Sequence, residues 1–217
     1  MSARGCFVVL DGIEGAGKTT QLAALVERSA EFGAGDPLPL LTREPGGTPL
    51  GESLRALLLD SQREGMDPIA ELLLIFAARA EHIDKLIRPN LETGRWVFCD
   101  RFTDASFAYQ GAGRGMGEER IEMLERVVQG SFRPDLVVIL DLEPQEGMAR
   151  ARRRERAADR FEREPLEFFR AVRKGYLARA HADPDRYLVI DATAPEEEIT
   201  SQVIEGIRER SSAWGLR

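Results

Sequence analysis

The sequence predicts an α/β fold, with one five-stranded parallel sheet flanked by helices on both faces. Three observations support this prediction. Five short runs are almost wholly apolar, as expected of parallel strands that are buried on both faces. Segments with helical spacing of apolar residues separate these runs, which favours right-handed crossovers between parallel strands. Glycines or basic residues follow the first three runs, at the sheet edge where such folds bind ligands.

The first half of the chain contains two of the predicted strands and three helices. Residues 6–11 (CFVVLD) form a continuous apolar run and predict a central strand. Residues 19–32 place apolar side chains on one face of a helix, and residues 38–42 form a second, shorter strand. Leucines spaced for one face predict a helix over residues 49–59. A proline opens the helical pattern of residues 68–91, in a position that suits the first turn of a helix.

The second half repeats the alternation. Residues 96–100 (WVFCD) and 136–141 (LVVILD) predict the third and fourth strands. Between them, the glycine-rich residues 111–117 predict a loop, and residues 117–129 a helix. The remaining predicted elements are helices over residues 144–156, 165–182 and 195–211, and a strand over residues 187–191 (YLVID).

Length and composition indicate one domain over residues 1–217, with 43% hydrophobic and 31% charged residues as in ordinary soluble proteins. No apolar run reaches the roughly 18 residues of a membrane span. Residues 1–5 lead directly into a strand pattern, so we expect no signal peptide and a cytoplasmic location. The net charge of −7 argues against bulk binding to nucleic acid or to an anionic membrane.

Residues 12–19 match the phosphate-binding P-loop pattern GxxxxGK[ST], and they lie between a predicted strand and a predicted helix. Backbone N–H groups of such a loop point at phosphate oxygens, and the helix presents its positive end to the same anion. Lys18 is expected to reach the β- and γ-phosphates, Thr19 to ligate Mg²⁺, and Thr20 to donate to a further phosphate. The expected nucleotide-binding residues are Gly12, Ile13, Glu14, Gly15, Ala16, Gly17, Lys18, Thr19 and Thr20.

A P-loop occurs in GTPases, motor ATPases and small-molecule kinases, so other residues must distinguish these classes. A GTPase needs an asparagine-bearing guanine motif, and the only asparagine of this chain, Asn90, lies in the sequence Pro-Asn-Leu. A motor ATPase needs an acid that ends an apolar strand, for which Asp100 and Asp141 are available. Asp100 is the expected second metal ligand beside Thr19. Because Arg101 follows it at once, this strand end also indicates a second anion site.

Three arginines could converge on that second ligand: Arg43 after the second strand, Arg79 in the long helix, and Arg101 after the third strand. A phosphate acceptor would bring two polyanions together, and cations must then screen their repulsion. Positions 13–16 of the P-loop hold no basic residue, so that charge must come from elsewhere.

Residues 150–163 can supply it, since they carry seven arginines against three acids, a net +4 that leaves −11 for the rest. We expect a mobile lid over about residues 150–163 that closes over the phosphates and acts as an arginine finger from within the chain. Arg154 and Arg156 are the expected catalytic members. The alternative is a solvated helix end with Arg/Glu pairs, although Arg153, Arg154 and Arg156 have few acids nearby.

Whether the reaction needs a general base depends on whether the acceptor is a phosphate or a hydroxyl group. A monophosphate has a second pKa of about 6 and is largely ionised at neutral pH, so Asp11 would only position groups. A nucleoside hydroxyl would need a carboxylate base, for which Asp11 or Asp100 could serve.

Taken together, the motifs resemble those of the bacterial thymidylate kinase family over residues 5–205 or so. The similar segments are residues 11–20 (DGIEGAGKTT), 42–48 (TREPGGT), 100–102 (DRF), 108–111 (AYQG), 113–115 (GRG) and 132–136 (FRPDL). The resemblance implies a P-loop nucleoside monophosphate kinase fold. It also implies a homodimer that phosphorylates dTMP to dTDP with ATP and Mg²⁺. A P-loop without a basic residue, combined with a basic lid, is similar to the bacterial branch of that family.

The resemblance also implies roles for individual residues. Phe76 would stack on thymine, and Arg79, one helical turn away, would hydrogen-bond the base. Arg101 would hold the dTMP phosphate, and Tyr109 would disfavour a ribose 2′-hydroxyl. The other residues expected at the acceptor are Asp11, Glu14, Arg43, Pro45, Asp100, Ser106 and Gln110. Lys18, Asp11 and Arg101 are expected to be catalytic. Two rivals remain, a deoxynucleoside kinase and a nucleotide-binding module without turnover; Lys18, Thr19 and Arg101 count against the second.

Overall fold

A computed structural model describes residues 4–60, 66–153 and 159–211 of the chain. It contains the predicted five-stranded sheet, in the order β2-β3-β1-β4-β5, with every neighbouring pair parallel. The strands are β1 (Phe7–Asp11), β2 (Leu40–Arg43), β3 (Val97–Asp100), β4 (Leu136–Asp141) and β5 (Tyr187–Asp191). Successive side chains of a strand point to opposite faces, and all five residues of β1 are buried. The centre of the sheet is therefore covered on both faces, as the apolar runs predict.

The second strand begins later than its apolar run predicts. Leu38 is 58% exposed, and Pro39 follows it with no backbone N–H to donate. The backbone N–H of Leu40 is the first to reach the neighbouring strand, donating to the Trp96 carbonyl over 2.8 Å. The proline therefore delays strand pairing until residue 40.

Helices precede and follow the strands as predicted. They are α1 (Lys18–Glu27), α2 (Pro49–Leu59), α3 (Pro68–His82), α4 (Arg88–Glu92), α5 (Thr103–Ser106), α6 (Glu118–Gln129), α7 (Pro144–Arg152), α8 (Leu166–Ala182) and α9 (Glu196–Ser211). Helix α1 continues into a 3₁₀ turn, Ser29–Phe32, and a π-helical turn, Ile83–Ile87, joins α3 to α4. Helices α1 and α9 pack on each other and on the sheet, and α8 packs on β4 and β5.

Side chains fix where α2 and α3 begin. The Thr48 hydroxyl accepts a hydrogen bond from the Gly51 N–H, and Pro49 occupies the first turn. A carboxylate oxygen of Asp67 accepts from the N–H groups of Ile69 and Ala70, and a proline again follows the cap. Both helices line the cleft described below, α2 through Glu52 and Arg55 and α3 through Ile75 and Arg79, so their caps help to position its walls.

The chain between β3 and α6 is more helical than its glycines predict. Helix α5 runs directly into a π-helical segment, Phe107–Gly113, where the sequence predicts a loop from residue 111. Gly113 is required by close packing, since a Cβ there would lie 2.6 Å from the Phe168 ring of α8. The prediction took such glycines for turn residues, whereas they let two helices approach closely.

Both cysteines are buried and unpaired, as their place in apolar runs predicts. Burial raises the pKa of the Cys6 thiol to about 12 and that of Cys99 well above its usual value, so neither is a reactive thiolate. In the three described ranges, no helix combines the length and the apolar character needed to cross a membrane.

Candidate active site

A cleft of about 810 Å³ lies where β1, β2 and β3 end, between the P-loop and helices α2, α3 and α5. That volume is in the range of small-molecule sites. Of the residues predicted for nucleotide and substrate, those that line it are Glu14, Gly15, Gly17, Lys18, Thr19, Arg43, Pro45, Arg79, Asp100, Arg101, Ser106, Tyr109 and Gln110. Of the remaining predicted residues, Asp11, Gly12, Ile13, Ala16, Thr20 and Phe76 do not line it.

The P-loop has the backbone that its glycines predict. Gly12, Gly15 and Gly17 have φ angles of 133°, 79° and 93°, a region that other residues rarely adopt. The Lys18 ammonium folds back over the loop and donates to the carbonyls of Gly12 and Ile13, over 3.0 and 2.9 Å. The lysine thus bonds to the loop that it is expected to serve.

Helix α7 touches the tip of the P-loop backbone to backbone. A Cβ at Gly147 would lie 2.5 Å from the Glu14 carbonyl oxygen, and a Cβ at Gly15 would lie 2.3 Å from the Gly147 oxygen. Only a pair of glycines permits this approach. The helix that leads into the arginine-rich residues is therefore held directly against the phosphate-binding loop.

Two buried titratable groups lie beneath the loop. Burial raises the pKa of Asp11 to about 7, although Arg101 and a hydrogen bond from Tyr176 oppose that shift. Burial and the nearby Arg101 lower the pKa of Lys18 to about 8, although Asp100 and Glu14 oppose that shift. Both groups are buried in the free protein, where their charged forms are costly.

Arg101 lines the cleft and joins the P-loop to α8. Its backbone has φ 69°, the one non-glycine residue of the described chain with a positive φ, which marks a constrained position. Its guanidinium donates to the Gly12 carbonyl over 2.9 Å, to the Tyr176 hydroxyl over 3.0 Å and to a Glu14 carboxylate oxygen over 2.9 Å. It also lies 4.8 Å from the centre of the Tyr109 ring.

Glu14, the acidic residue of the P-loop, joins this loop to Arg101 and Tyr109, which follow β3. The Tyr109 hydroxyl lies 2.8 and 2.7 Å from its two carboxylate oxygens, in addition to the contact with Arg101. Three residues expected separately at the acceptor, Glu14, Arg101 and Tyr109, therefore meet at one point.

Arg79 is buried, with 1% of its side chain exposed, and it is held by groups from three elements. Its Nε donates to Glu44 over 2.7 Å, and one Nη donates to the Phe102 carbonyl and the Ser106 hydroxyl over 3.1 Å. Its other Nη is buried and has no hydrogen-bond partner in the described residues. A planar donor that lines the cleft with a free N–H suits recognition of a base edge.

A buried histidine fixes the carboxylate that holds Arg79. His82 Nδ1 lies 3.0 Å from a Glu44 oxygen, and its Nε2 lies 2.8 Å from the Thr42 hydroxyl. Glu44 and His82 were not among the predicted site residues, although both are next to or one turn from arginines that were. Both fix the position of Arg79, and Glu44 also lines the cleft.

Phe76, which is expected to stack on thymine, is buried beside Arg79. Its ring is 2% exposed and packs in a cluster with Leu72, Phe107 and Ile121. The Arg79 guanidinium lies 4.5 Å from the ring centre. The one-turn spacing that placed both residues on one face is correct, but in this structure Phe76 supports the arginine from within the core and does not line the cleft.

The residues that are expected to bind the metal ion and the phosphates differ in solvent exposure. Thr19 and Thr20 are exposed at the start of α1, whereas Asp100 is half-buried at the end of β3. One carboxylate oxygen each of Asp11 and Asp100 is buried with no hydrogen-bond partner in the described residues. Hard oxygen donors of this kind fit Mg²⁺, which prefers carboxylate and hydroxyl oxygens together with phosphates.

Arg43 and Pro45 form the edge of the cleft after β2. Arg43 is half exposed and pairs with Glu52 of α2 over 2.9 Å. The Pro45 carbonyl accepts a hydrogen bond of 2.8 Å from Arg55, a further cleft residue that the sequence did not single out. Burial and the neighbouring Arg43 lower the pKa of Arg55, which adds a second desolvated cation to this edge.

The arginine-rich segment is described only in part. The predicted catalytic residues Arg154 and Arg156 lie outside the described residues. Arg150 fits the alternative of helix-end pairing, since it bonds Glu146 over 2.5 Å and the Ala192 carbonyl over 2.9 Å. Arg160 points into the fold and reaches the Leu58 carbonyl over 3.0 Å.

Besides Glu44, His82 and Arg55, reasoning from the sequence missed further cleft or near-cleft residues, among them Asp159, Phe161, Glu162 and Tyr176. Asp159, Phe161 and Glu162 follow the arginine run and line the cleft. Tyr176 lies in α8 and donates to Asp11 over 2.8 Å across a separation of 165 residues. Neither periodicity nor spacing signals such a contact, because it depends on how α8 crosses the sheet.

Comparisons with known proteins all point to one family. A family model described as thymidylate kinase matches residues 10–203. A thymidylate kinase from Halorhodospira halophila is 54% identical over 207 residues, covering 95% of each chain. One from Hahella chejuensis is 49% identical over 94% of this chain and 96% of its own. A crystal structure of thymidylate kinase from Ehrlichia chaffeensis superposes with a TM-score of 0.76 at 34% identity, covering 93% and 98% of the two chains.

Proposed function

The chain belongs to the thymidylate kinase family, and we propose that its cleft transfers the γ-phosphoryl group of ATP to the phosphate of dTMP, giving ADP and dTDP. The observation that carries this proposal is the juxtaposition of two anion sites. Lys18 of the P-loop and Arg101 line the same cleft at the ends of β1 and β3. We also propose a cytoplasmic location, where both nucleotides are available, with dTMP and ATP as the partners.

The acceptor half of the cleft has the groups that a pyrimidine monophosphate requires. Arg101 offers a planar, permanently charged fork to the acceptor phosphate. Arg79 offers its unpaired N–H, and Ser106 and Gln110 offer polar groups for the base and sugar. Tyr109, fixed on Glu14, stands where an additional ribose hydroxyl would have to fit. These assignments follow the family resemblance and are supported by the placement of the residues in one cleft.

The donor half has the P-loop, and Thr19 and Asp100 supply oxygens that would hold Mg²⁺. When bound, the ion would neutralise charge that develops on the β- and γ-phosphate oxygens. Lys18 would exchange its bonds to the loop carbonyls for bonds to phosphate. Asp11 would act as a positioning group, because an ionised phosphate acceptor needs no proton removed.

An ADP-release assay with MgATP and a panel of dTMP, dUMP, CMP, GMP, AMP and thymidine tests the proposal. We expect dTMP to give the highest kcat/KM, with dTDP as the product identified by mass. Turnover of thymidine without turnover of dTMP would assign a nucleoside kinase instead. Tight ATP binding with no acceptor turned over would assign a binding module.

We further propose that the protein is a homodimer that pairs through an apolar surface on α2, α3 and α6. Helix α3 packs against both other helices. All three carry large apolar side chains that are between 36% and 78% exposed: Leu50, Leu57, Ile69, Leu73, Met123 and Val127. Adjacent exposed apolar residues of this kind mark an interface between protein chains.

Leu73→Glu is expected to convert the dimer to monomers, because it buries a charge at the centre of the proposed contact. Size-exclusion chromatography with light scattering should give twice the 24.2 kDa chain mass for the wild type and one chain mass for the variant. Val189→Glu is the matched control, since Val189 is a similarly exposed apolar residue of β5 outside this surface. A monomeric wild type, or a dimeric Leu73→Glu variant, would refute this interface.

A further inference from the structure

Residues 159–164, called the wall segment here, form one side of the acceptor half of the cleft. Asp159, Phe161 and Glu162 line the cleft. Asp159 stabilises the turn, accepting from the N–H groups of Phe161 and Glu162 over 2.9 and 3.0 Å. The Phe161 ring meets the Tyr109 ring edge to face, with the ring centres 6.0 Å apart.

Two arginines fasten the wall segment to the body of the protein. Arg160, within the segment, donates to the Leu58 carbonyl of α2 over 3.0 Å and lies 4.7 Å from the centre of the Phe161 ring. Arg114, after α5, donates to Glu164 over 2.5 Å and lies 5.7 Å from the same ring. The aromatic ring that faces Tyr109 is thus flanked by two guanidinium groups.

Both guanidinium groups meet on one carboxylate, that of Glu71. Its Oε2 lies 2.6 Å from an Arg160 nitrogen and 3.3 Å from an Arg114 nitrogen. Glu71 is fully buried in the first turn of α3. Its other oxygen accepts a 2.8 Å hydrogen bond from Gln110, which lines the cleft.

The positive charges of Arg114 and Arg160 need the negative charge of Glu71 beside them. Arg114 and Arg160 are only 18% and 15% exposed, so water screens them little. Glu164 balances one of them from the wall segment itself, and Glu71 supplies the other negative charge from α3. Without that charge, two poorly solvated cations would face each other across the contact between the wall segment and α3.

On the basis of the proposed function, we propose that Glu71 is a positioning residue for the acceptor nucleotide. It holds the wall segment closed through Arg160 and Arg114, and it orients Gln110 through the same carboxylate. It does not itself contact the substrate, because it is buried behind these three side chains. Its loss therefore affects the acceptor half of the cleft and leaves the P-loop intact.

Glu71→Gln tests this role, because the amide keeps the size of the side chain and removes its charge. We expect the KM for dTMP to rise about 10-fold or more, which corresponds to losing one partly screened charge-assisted contact. The KM for ATP should change less than about 3-fold, as the P-loop is untouched. Hydrogen exchange at the amides of Phe161 and Glu162 should accelerate about 10-fold, since the turn opens more often.

Glu125→Gln is the matched control. Glu125 is a buried helical glutamate, 7% exposed, that pairs with Arg133 over 2.9 Å. Glu125 lies in α6 and Arg133 in the loop that follows this helix, away from the wall segment. We expect neither the KM for dTMP nor the exchange at Phe161 and Glu162 to change in this variant.

Arg160→Gln provides a second approach that leaves α3 unaltered, in case Glu71→Gln is poorly folded. The two substitutions should be less than additive in both readouts, because they remove the same contact. An unchanged KM for dTMP and unchanged exchange in Glu71→Gln and Arg160→Gln would overturn the inference. A wild type without dTMP turnover would refute the proposed function, and the exchange data would then still decide whether Glu71 holds the wall segment.

Discussion

Arg101→Ala is expected to lower kcat/KM for dTMP by about 10³-fold, because it removes the preorganised guanidinium that is proposed to hold the acceptor phosphate. Arg101 contacts Glu14, the Gly12 carbonyl and the Tyr176 hydroxyl at once. It therefore holds the acceptor phosphate next to the P-loop as well as neutralising it. Steady-state kinetics with dTMP varied at saturating MgATP measures the loss.

Two further variants separate charge and geometry from folding. Arg101→Lys keeps the charge without the planar fork and should lose about 10²-fold, an intermediate effect. Arg133→Ala removes a half-buried arginine whose partners among the described residues are nearby carbonyls and Glu125, and it should retain wild-type kinetics. If Arg101→Ala unfolds at low temperature while Arg133→Ala does not, the role of Arg101 is structural. If the variant keeps kcat/KM within tenfold of wild type, Arg101 does not hold the acceptor.

Much of the fold was predictable because its signals are local. The five strands are continuous apolar runs, and β1 and β4 are buried almost throughout, as such runs predict. Prolines and caps at residues 48–49 and 67–68 mark helix starts that the structure reproduces. The P-loop pattern fixes its own backbone, since its glycines and the following helix leave few alternatives.

The predictions failed where structure depends on contacts between distant segments. Gly113 looks like a turn residue but lies in a helical segment, because α8 needs the space. Tyr176 and Glu71 carry no motif at all. Their importance comes from the elements that cross near them, which a single sequence does not specify.

Three arginines in or beside the cleft are each paired with a carboxylate. Arg101 is paired with Glu14, Arg79 with Glu44, and Arg160 with Glu71, each across two different elements. The sequence predicted the cations and Glu14 as site residues, but not the carboxylates of Glu44 and Glu71. Paired in this way, the arginines stay ordered in a poorly solvated cleft before any phosphate arrives. A substrate phosphate then meets groups whose positions are already fixed, which is the form of catalysis that phosphoryl transfer needs most.

Lys18→Met is expected to lower kcat by about 10³-fold, because the ammonium is the one P-loop side chain that can place a positive charge on the β- and γ-phosphates. Methionine keeps most of the stem that packs in the buried position of Lys18, which is 8% exposed. It removes the bonds to the Gly12 and Ile13 carbonyls, so the loop also loses its internal tie.

Calorimetric titration with dTMP and with ATP distinguishes these effects. Because Lys18 serves the donor half of the cleft, we expect the affinity for dTMP to change less than about 3-fold. A defect in the chemical step alone would lower kcat and leave the measured affinities unchanged. Lys174→Met, at an exposed lysine of α8, is the control and should behave as wild type. A Lys18→Met variant that turns over dTMP at more than a tenth of the wild-type rate would show that the transferring phosphate is stabilised elsewhere. In that case the arginines of residues 150–163 would have to supply the positive charge at the transferring phosphate.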